Sequence, residues 1–315
     1  FLQIILLNIV NKFLIYLHMR IYQLILVLCT LYSFSVHADD TEVAKQGIIN
    51  NIGSKISSSL ENLIGGEGDT KVQATVGEDY RPEYSIVTVR PLAAHPGVDA
   101  WFVQLQLNDT NIRHEGRLST NIGVGYRKLS ENQNSLTGAN VFLDYDQEGN
   151  ARASIGFELR SSSFEAIANL YEGISSAQTV GSFTERTLGG YEITLVGEVP
   201  YFPWANVVAN HYEWTKEKNS KDSTGNKLSL ELSLTQSLIV DLGFHDSDID
   251  GTSNFAKIMF VYPPKEKTAT LISNPIGDTA FSEGDMSQEL LSIVRRTDKQ
   301  IIESEGTGVV MARAD

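Results

Sequence analysis

After Gly68 the apolar and polar residues alternate with a period of two for most of the chain. The clearest stretch is RLSTNIGVGYR, residues 117–127. Leu118, Thr120, Ile122, Val124 and Tyr126 share one face; Ser119, Asn121, Gly123, Gly125 and Arg127 share the other. In ARASIGFELR, Ala153, Ile155, Phe157 and Leu159 oppose Arg152, Ser154, Gly156, Glu158 and Arg160. A strand alternates its side chains between two faces, so each such stretch predicts a strand with two unlike surfaces. There are twelve of them, over 69–76, 83–90, 100–107, 117–127, 137–146, 151–160, 162–171, 186–196, 204–213, 227–235, 237–245 and 254–262. Upstream the period is four. Ile48, Ile52, Ile56, Leu60 and Ile64 form one stripe, which predicts a helix within 39–66. Thr41 caps its start and Gly65-Gly66 ends it, while Gly47 and Gly53 weaken it.

Two all-β architectures produce twelve two-faced strands. A sandwich turns its apolar face inward, whereas a membrane barrel turns it to lipid and keeps a polar lumen. Three features favour the barrel. The strand lengths match the ~9–11 residues that cross a bilayer with tilt. The polar face is rich in Gly beside Arg and Glu, although Gly weakens strands unless something must approach closely. The connections alternate in length, with long polar loops EGISSAQTVGSFTE, EWTKEKNSKDSTGN and HDSDIDGTS against turns of a few residues. Aromatic residues near strand ends (Trp101, Tyr201, Phe202, Trp204, Tyr212, Trp214 and Tyr262) are expected to form interface girdles. In TGANVFLDYD, Ala139, Val141, Leu143 and Tyr145 are then expected to meet lipid. Asn140, Phe142 and Asp144 are expected to face the lumen.

Composition narrows the function classes. A net charge of −14 disfavours nucleic acid as a partner. The one cysteine, Cys29, lies in a stretch expected to be removed. Met19 is the expected start, residues 1–18 upstream sequence, and Arg20 with the apolar run to Phe34 a signal peptide cut after Ala38. No cofactor is expected. The histidines are scattered without an H-E-x-x-H spacing, and G-V-G sits inside a strand, where no phosphate cradle forms. Asp246 to Gly251, DSDIDG, opens like a calcium loop. However, Lys257 stands where the bidentate Glu is needed, so a solvated loop is expected, with weak cation binding as the other reading. His245, Ser247 and Asn254 have the residue types of a lipase triad, a remote alternative. The alternation points His245 and Ser247 into the lumen, away from a lipid substrate.

The chain resembles the translocation barrel of inverse autotransporters, the intimin/invasin family, over roughly 42–262. The resemblance is carried by Arg117, Asn121, Gly123, Gly125 and Arg127, then by Gly138, Asn140, Phe142, Asp144, Tyr145 and Asp146. It continues with Arg152, Ser154, Gly156 and Glu158, with Asn169 and Tyr171, with Glu185, Arg186, Gly190, Tyr191 and Glu192, and with Gly197, Pro200 and Pro203. Glu192 stands where the family usually has Asp. The resemblance implies a twelve-stranded outer-membrane barrel with a periplasmic N-terminus. It also implies that a C-terminal adhesive passenger enters as a hairpin, leaves through the pore and is driven by its own folding. Implied partners are outer-membrane lipid and lipopolysaccharide, the barrel-assembly machinery and periplasmic chaperones, plus a receptor if a passenger exists. No enzymatic site is implied. Met286 to Ile302, with Leu290, Leu291, Ile293, Val294, Arg295 and Arg296, is similar to the family's pore-plugging linker and short helix. Cations there suit an acidic lumen. The expected domains are the leader to 38, the helix at 39–66, the barrel at 67–262 and a pore linker at 263–315. Residues 263–315 are too short for a passenger domain, which leaves two expectations open: a fragment that lacks its passenger, or a passenger-less, structural or porin-like barrel as the first alternative.

Overall fold

A computed structural model of the chain describes residues 67–77, 82–112, 115–216, 222–248, 251–265, 269–306 and 310–313. The leader and the helix expected at 39–66 lie outside the described residues.

The barrel strands are β1 (Thr70–Val76), β2 (Glu83–His95), β3 (Asp99–Ile112), β4 (Glu115–Leu129), β5 (Ser135–Asp146), β6 (Ala151–Ser161) and β7 (Phe164–Gly173). After the short strands β8 (Gln178–Val180) and β9 (Phe183–Thr187) come β10 (Gly189–Val199), β11 (Phe202–Thr215), β12 (Ser223–Ser233), β13 (Leu238–Ser247) and β14 (Gly251–Tyr262). Twelve of these close on themselves, each antiparallel to its neighbours, with β1 pairing both β2 and β14. Closure leaves no unpaired edge, the condition for strands in hydrocarbon.

The expected faces are realised. On β5, Val141, Leu143 and Tyr145 are 55%, 54% and 58% exposed, while Asn140, Phe142 and Asp144 are 3%, 2% and 1% exposed. The same alternation exposes Leu118, Ile122, Ile155, Phe157 and Leu159 and buries Asn121, Arg127, Arg152, Glu158 and Arg160. An apolar belt of this extent is far larger than the patches that soluble monomers leave in water, so its solvent is lipid.

Three sequence expectations are corrected. The strand expected at 186–196 begins at Gly189, and Phe183–Thr187 instead forms β9 in a separate four-stranded sheet. The chain turns from one sheet to the other at Gly189-Gly190. Gly190 has a φ of +150°, and a Cβ there would lie 2.1 Å from the Glu213 carbonyl oxygen, so only Gly fits. Second, Tyr212 and Trp214 are buried inside the barrel with Tyr171, Leu188 and Ile301 rather than at an interface girdle. They share a face with Asn210, which bonds the inward Glu192. Third, the long loop expected over HDSDIDGTS shrinks to residues 248–250, because 245–247 end β13 and 251–253 begin β14.

The rims differ. One carries the loop between β7 and β10, with its β8–β9 hairpin, and the connection between β11 and β12. The other carries the turns at 162–163, 200–201 and 234–237. Short turns mark the periplasmic rim of bacterial barrels and long loops the outer one.

Candidate functional site

The lumen is occupied by the chain's own C-terminal part. Beyond β14 it runs along the short-turn rim. Leu271 donates its backbone N–H to Ser233, and Gly277 to Tyr201. The Ser162 hydroxyl donates to the Ser282 carbonyl, and Met286 donates its N–H to Gln133. The short helix expected here is a 3-10 turn at Ser287–Leu291, followed by extended chain. It ends in β15 (Ile302–Gly306), which pairs with β9 and with β16 (Val310–Arg313). Residues 286–306 thus pass from the short-turn rim to the long-loop rim.

Apolar contacts hold this segment at three levels. Met286 and Leu290 pack with Ala100, Leu129 and Leu136. Val294 packs with Val89, Phe102 and Phe142, with Leu291 and Ile293 beside it. Ile301 joins Tyr171, Leu188, Tyr212 and Trp214.

Between these levels the contacts are ionic. Arg296 donates to both oxygens of Asp144, at 3.0 and 2.6 Å, and to the Ser154 hydroxyl at 3.2 Å. Asp144 also accepts from Arg152 at 2.9 Å and from Asn121 at 2.6 Å. Register explains the meeting, since Asn121, Asp144 and Arg152 are directly opposed on β4, β5 and β6. Arg152 and Asn121 reach the segment too, donating to the carbonyls of Thr297 and Asp298. Arg295 forks onto Glu231 at 2.9 and 2.8 Å and donates to Glu165 at 2.9 Å. Such bidentate pairs fix geometry as well as charge. Thr297 donates its N–H and its hydroxyl to Glu192, at 2.7 and 2.6 Å.

The lumen glycines are the space for this network. Arg127 on β4 donates to Glu158 on β6 at 2.6 Å, across Gly138 on the strand between them. A Cβ at Gly138 would lie 2.6 Å from Glu158 Oε1 and 3.0 Å from Arg127 Cγ. The other side of the Arg127 guanidinium donates to the Leu290 and Ser292 carbonyls. A Cβ at Gly125 would strike the Phe102 ring at 2.2 Å, and one at Gly123 the Phe142 ring at 2.3 Å. Those rings lie 4.6 Å beneath Arg127 and 4.4 Å beneath Arg296, a cation–π arrangement. Gly156 makes room for Asn140 and Asn169. Asn169 bonds Glu192 and the Arg295 carbonyl, whereas the side chain of Asn140 has no hydrogen-bond partner among the described residues.

At the long-loop rim Arg117 forks onto Glu185 at 2.6 and 3.1 Å and contacts Asp146 at 3.2 Å. Arg186 pairs with Glu305 at 3.1 Å. At the other rim Lys265 bridges Glu289 at 2.8 Å and Asp69 at 3.2 Å. Burial pulls the Lys265 ammonium down, but Glu289 and Asp69 outweigh it and raise its pKa.

The sequence pattern did not single out the partners contributed by lone inward polar residues: Glu165 and Glu231 for Arg295, Gln104 for the Val294 N–H, and Glu83 for Lys299. Their positions on the polar face of a strand were the available signal. The triad residues are separated. His245 and Ser247 are buried inside, whereas Asn254 is on the exposed outer face. The His245 ring nitrogen lies 2.5 Å from the Tyr212 hydroxyl. Of the calcium-like loop, Asp246 accepts from Thr252, and residues 249 and 250 lie outside the described residues.

The family described as inverse autotransporter, beta-domain, matches residues 30–260. No curated protein matches the chain. A membrane-protein chain solved in "Unveiling the Mechanism Behind the in-meso Crystallization of Membrane Proteins" aligns with a TM-score of 0.60 at 18% identity, over 76% of this chain and 99% of that one. KdgM porin aligns at 0.43 and 6% identity, over 61% of this chain and 98% of its own. NanC porin aligns at 0.41 and 11%, over 62% and 98%.

Proposed function

Because this chain belongs to the inverse autotransporter β-domain family and forms an outer-membrane barrel, we propose that it is a translocator that exports and anchors its own C-terminal chain. The observation that carries this reading is the path of residues 286–306, from the short-turn rim through the lumen to β15 at the long-loop rim. A structural plug needs only to fill the pore; this segment also reaches the long-loop rim. The lumen residues have two tasks. Arg127, Asn121, Arg152 and Asn169 donate to carbonyls of the segment, contacts that any extended chain offers. Asp144, Glu165, Glu192 and Glu231 hold the particular side chains of Arg295, Arg296 and Thr297. The first set suits a sliding chain, and the second arrests it at one register.

The process is non-enzymatic in this reading, driven by folding outside. The barrel-assembly machinery, periplasmic chaperones and the lipid of the outer membrane are its partners in assembly. A passenger carried beyond the tail acts in adhesion, with a receptor set by that passenger. The test is to fuse a small folding-competent domain after Asp315 and probe intact cells for it. Export places the domain outside. Retention in the periplasm, with the barrel assembled, favours the rival porin-like barrel closed by its own tail.

A further inference from the structure

The β8–β9 hairpin at the long-loop rim is fastened to the barrel without help from the threaded segment. Glu185 of β9 takes the Arg117 fork from the barrel wall and a bond from Asn150 Nδ2 at 3.1 Å. The Thr187 carbonyl lies against Gly173, where a Cβ would be 2.1 Å away. One edge of β9 is covered by β8. The other edge takes β15, at the long-loop mouth of the lumen, over five register pairs from Ile302–Thr187 to Gly306–Phe183. The Leu188 N–H extends the pairing to the Ile301 carbonyl at 2.8 Å. Arg186 and Glu305 add a charge pair at 3.1 Å on the same edge. β16 then pairs with the far edge of β15.

Resting on the export reading, we propose that β9 is a docking edge for the emerging chain. It captures residues 302–306 as an added strand and thereby stops the exported chain from sliding back. The occupant is this chain's own segment. Main-chain bonding supplies the grip, the mode of recognition by strand addition. The lumen contacts do not impose direction during passage: donors to carbonyls serve a chain moving either way, and the carboxylates hold Arg295 and Arg296 only once those side chains have reached their register. A strand edge fixed at the long-loop mouth does impose it, since its bonds form only after the residues have travelled the length of the lumen. Once docked, β15 offers its own free edge to the next residues of the chain, and β16 occupies it.

The test uses the full chain with an epitope tag after Asp315, and follows surface exposure of the tag after induction in intact cells. Arg186→Glu places like charges on the docking edge, against Glu303 directly opposite and Glu305 diagonal to it. Glu305→Arg does the same from the tail side, leaving the barrel sequence untouched. Each single variant is expected to lower tag exposure several-fold while the barrel still assembles. Wild-type exposure with equal exposure in both single variants and in Ser304→Pro would overturn the docking edge and leave export standing. A wild-type tag that is never exposed would instead remove the export reading, and the docking edge with it.

Discussion

Replacing Asp144 by Asn changes no heavy-atom count and leaves the strand intact, yet it removes the charge on which the middle of the lumen depends. Asp144 is buried and receives Arg296 at 3.0 and 2.6 Å, Arg152 at 2.9 Å and Asn121 at 2.6 Å. Both guanidiniums are nearly inaccessible, with side-chain exposures of 0% for Arg152 and 1% for Arg296. An amide cannot accept from all of them, and its own NH2 would face a donor. Breaking a buried pair by removing one partner costs about 3–5 kcal/mol, because the remaining charge stays desolvated. Two guanidiniums depend on this carboxylate, so the upper part of that range is expected, roughly a thousandfold in the folding equilibrium. The assay is denaturant unfolding of the refolded full chain in detergent, followed by tryptophan fluorescence. A second background separates the threaded segment from the wall. With Arg296 already replaced by Met, Asp144→Asn should cost about 2 kcal/mol less, the coupling expected for groups in direct contact. A loss below about 1 kcal/mol for Asp144→Asn, or additivity of the two changes within about 0.5 kcal/mol, would refute the claim that this carboxylate holds the segment.

Gly125→Val should displace the Phe102 ring that supports Arg127 and packs on Val294, costing about 1–3 kcal/mol as overpacking does. A reduced heat-modifiable, folded fraction on electrophoresis checks it, and an unchanged fraction contradicts it. Lys265→Met should release the linker along the short-turn rim, seen as faster proteolysis within 269–285 when protease is added from the periplasmic side. The pH dependence of that clamp has a definite sign. A lysine whose folded pKa is raised contributes stability that is complete below its ordinary value of 10.5 and is lost as the pH rises through the higher folded value. Neutral and mildly alkaline buffers should therefore leave the clamp unchanged, and only stronger alkali should loosen it. Loosening in the neutral range would count against the Glu289 and Asp69 pairing.

The barrel was readable because a period of two states strand and face together. Once Leu118 and Ile122 are placed outward, Asn121 and Arg127 must point inward, and a slip by one residue would reverse every assignment. The glycine-rich polar face was readable as a demand for space. Which groups claim that space was not, because Phe102 and Phe142 come from neighbouring strands whose register no local pattern reports. The extra sheet was hidden for a related reason. The strand expected at 186–196 takes in Arg186 and Thr187 from the end of β9, while the second partner of β9, beside β8, lies more than a hundred residues later, at 302–306. Tyr212 and Trp214 mislead because an amphipathic aromatic near a strand end suits either a girdle or a lumen stack. Their parity with Asn210 was the deciding signal. Arg295 and Arg296 are readable as cations for an acidic lumen, but the pattern does not say that neighbours in sequence take partners on different strands. Arg295 goes to Glu165 and Glu231, and Arg296 to Asp144.

The central claim is that residues 286–306 carry the chain through the lumen and leave its end outside. The most direct test is to place a small tag after Asp315, with no passenger added, and ask whether antibody and protease reach it on intact cells. Export predicts binding without opening the outer membrane, and loss of the tag to external protease while the barrel persists. A tag reached only after the outer membrane is opened would contradict it.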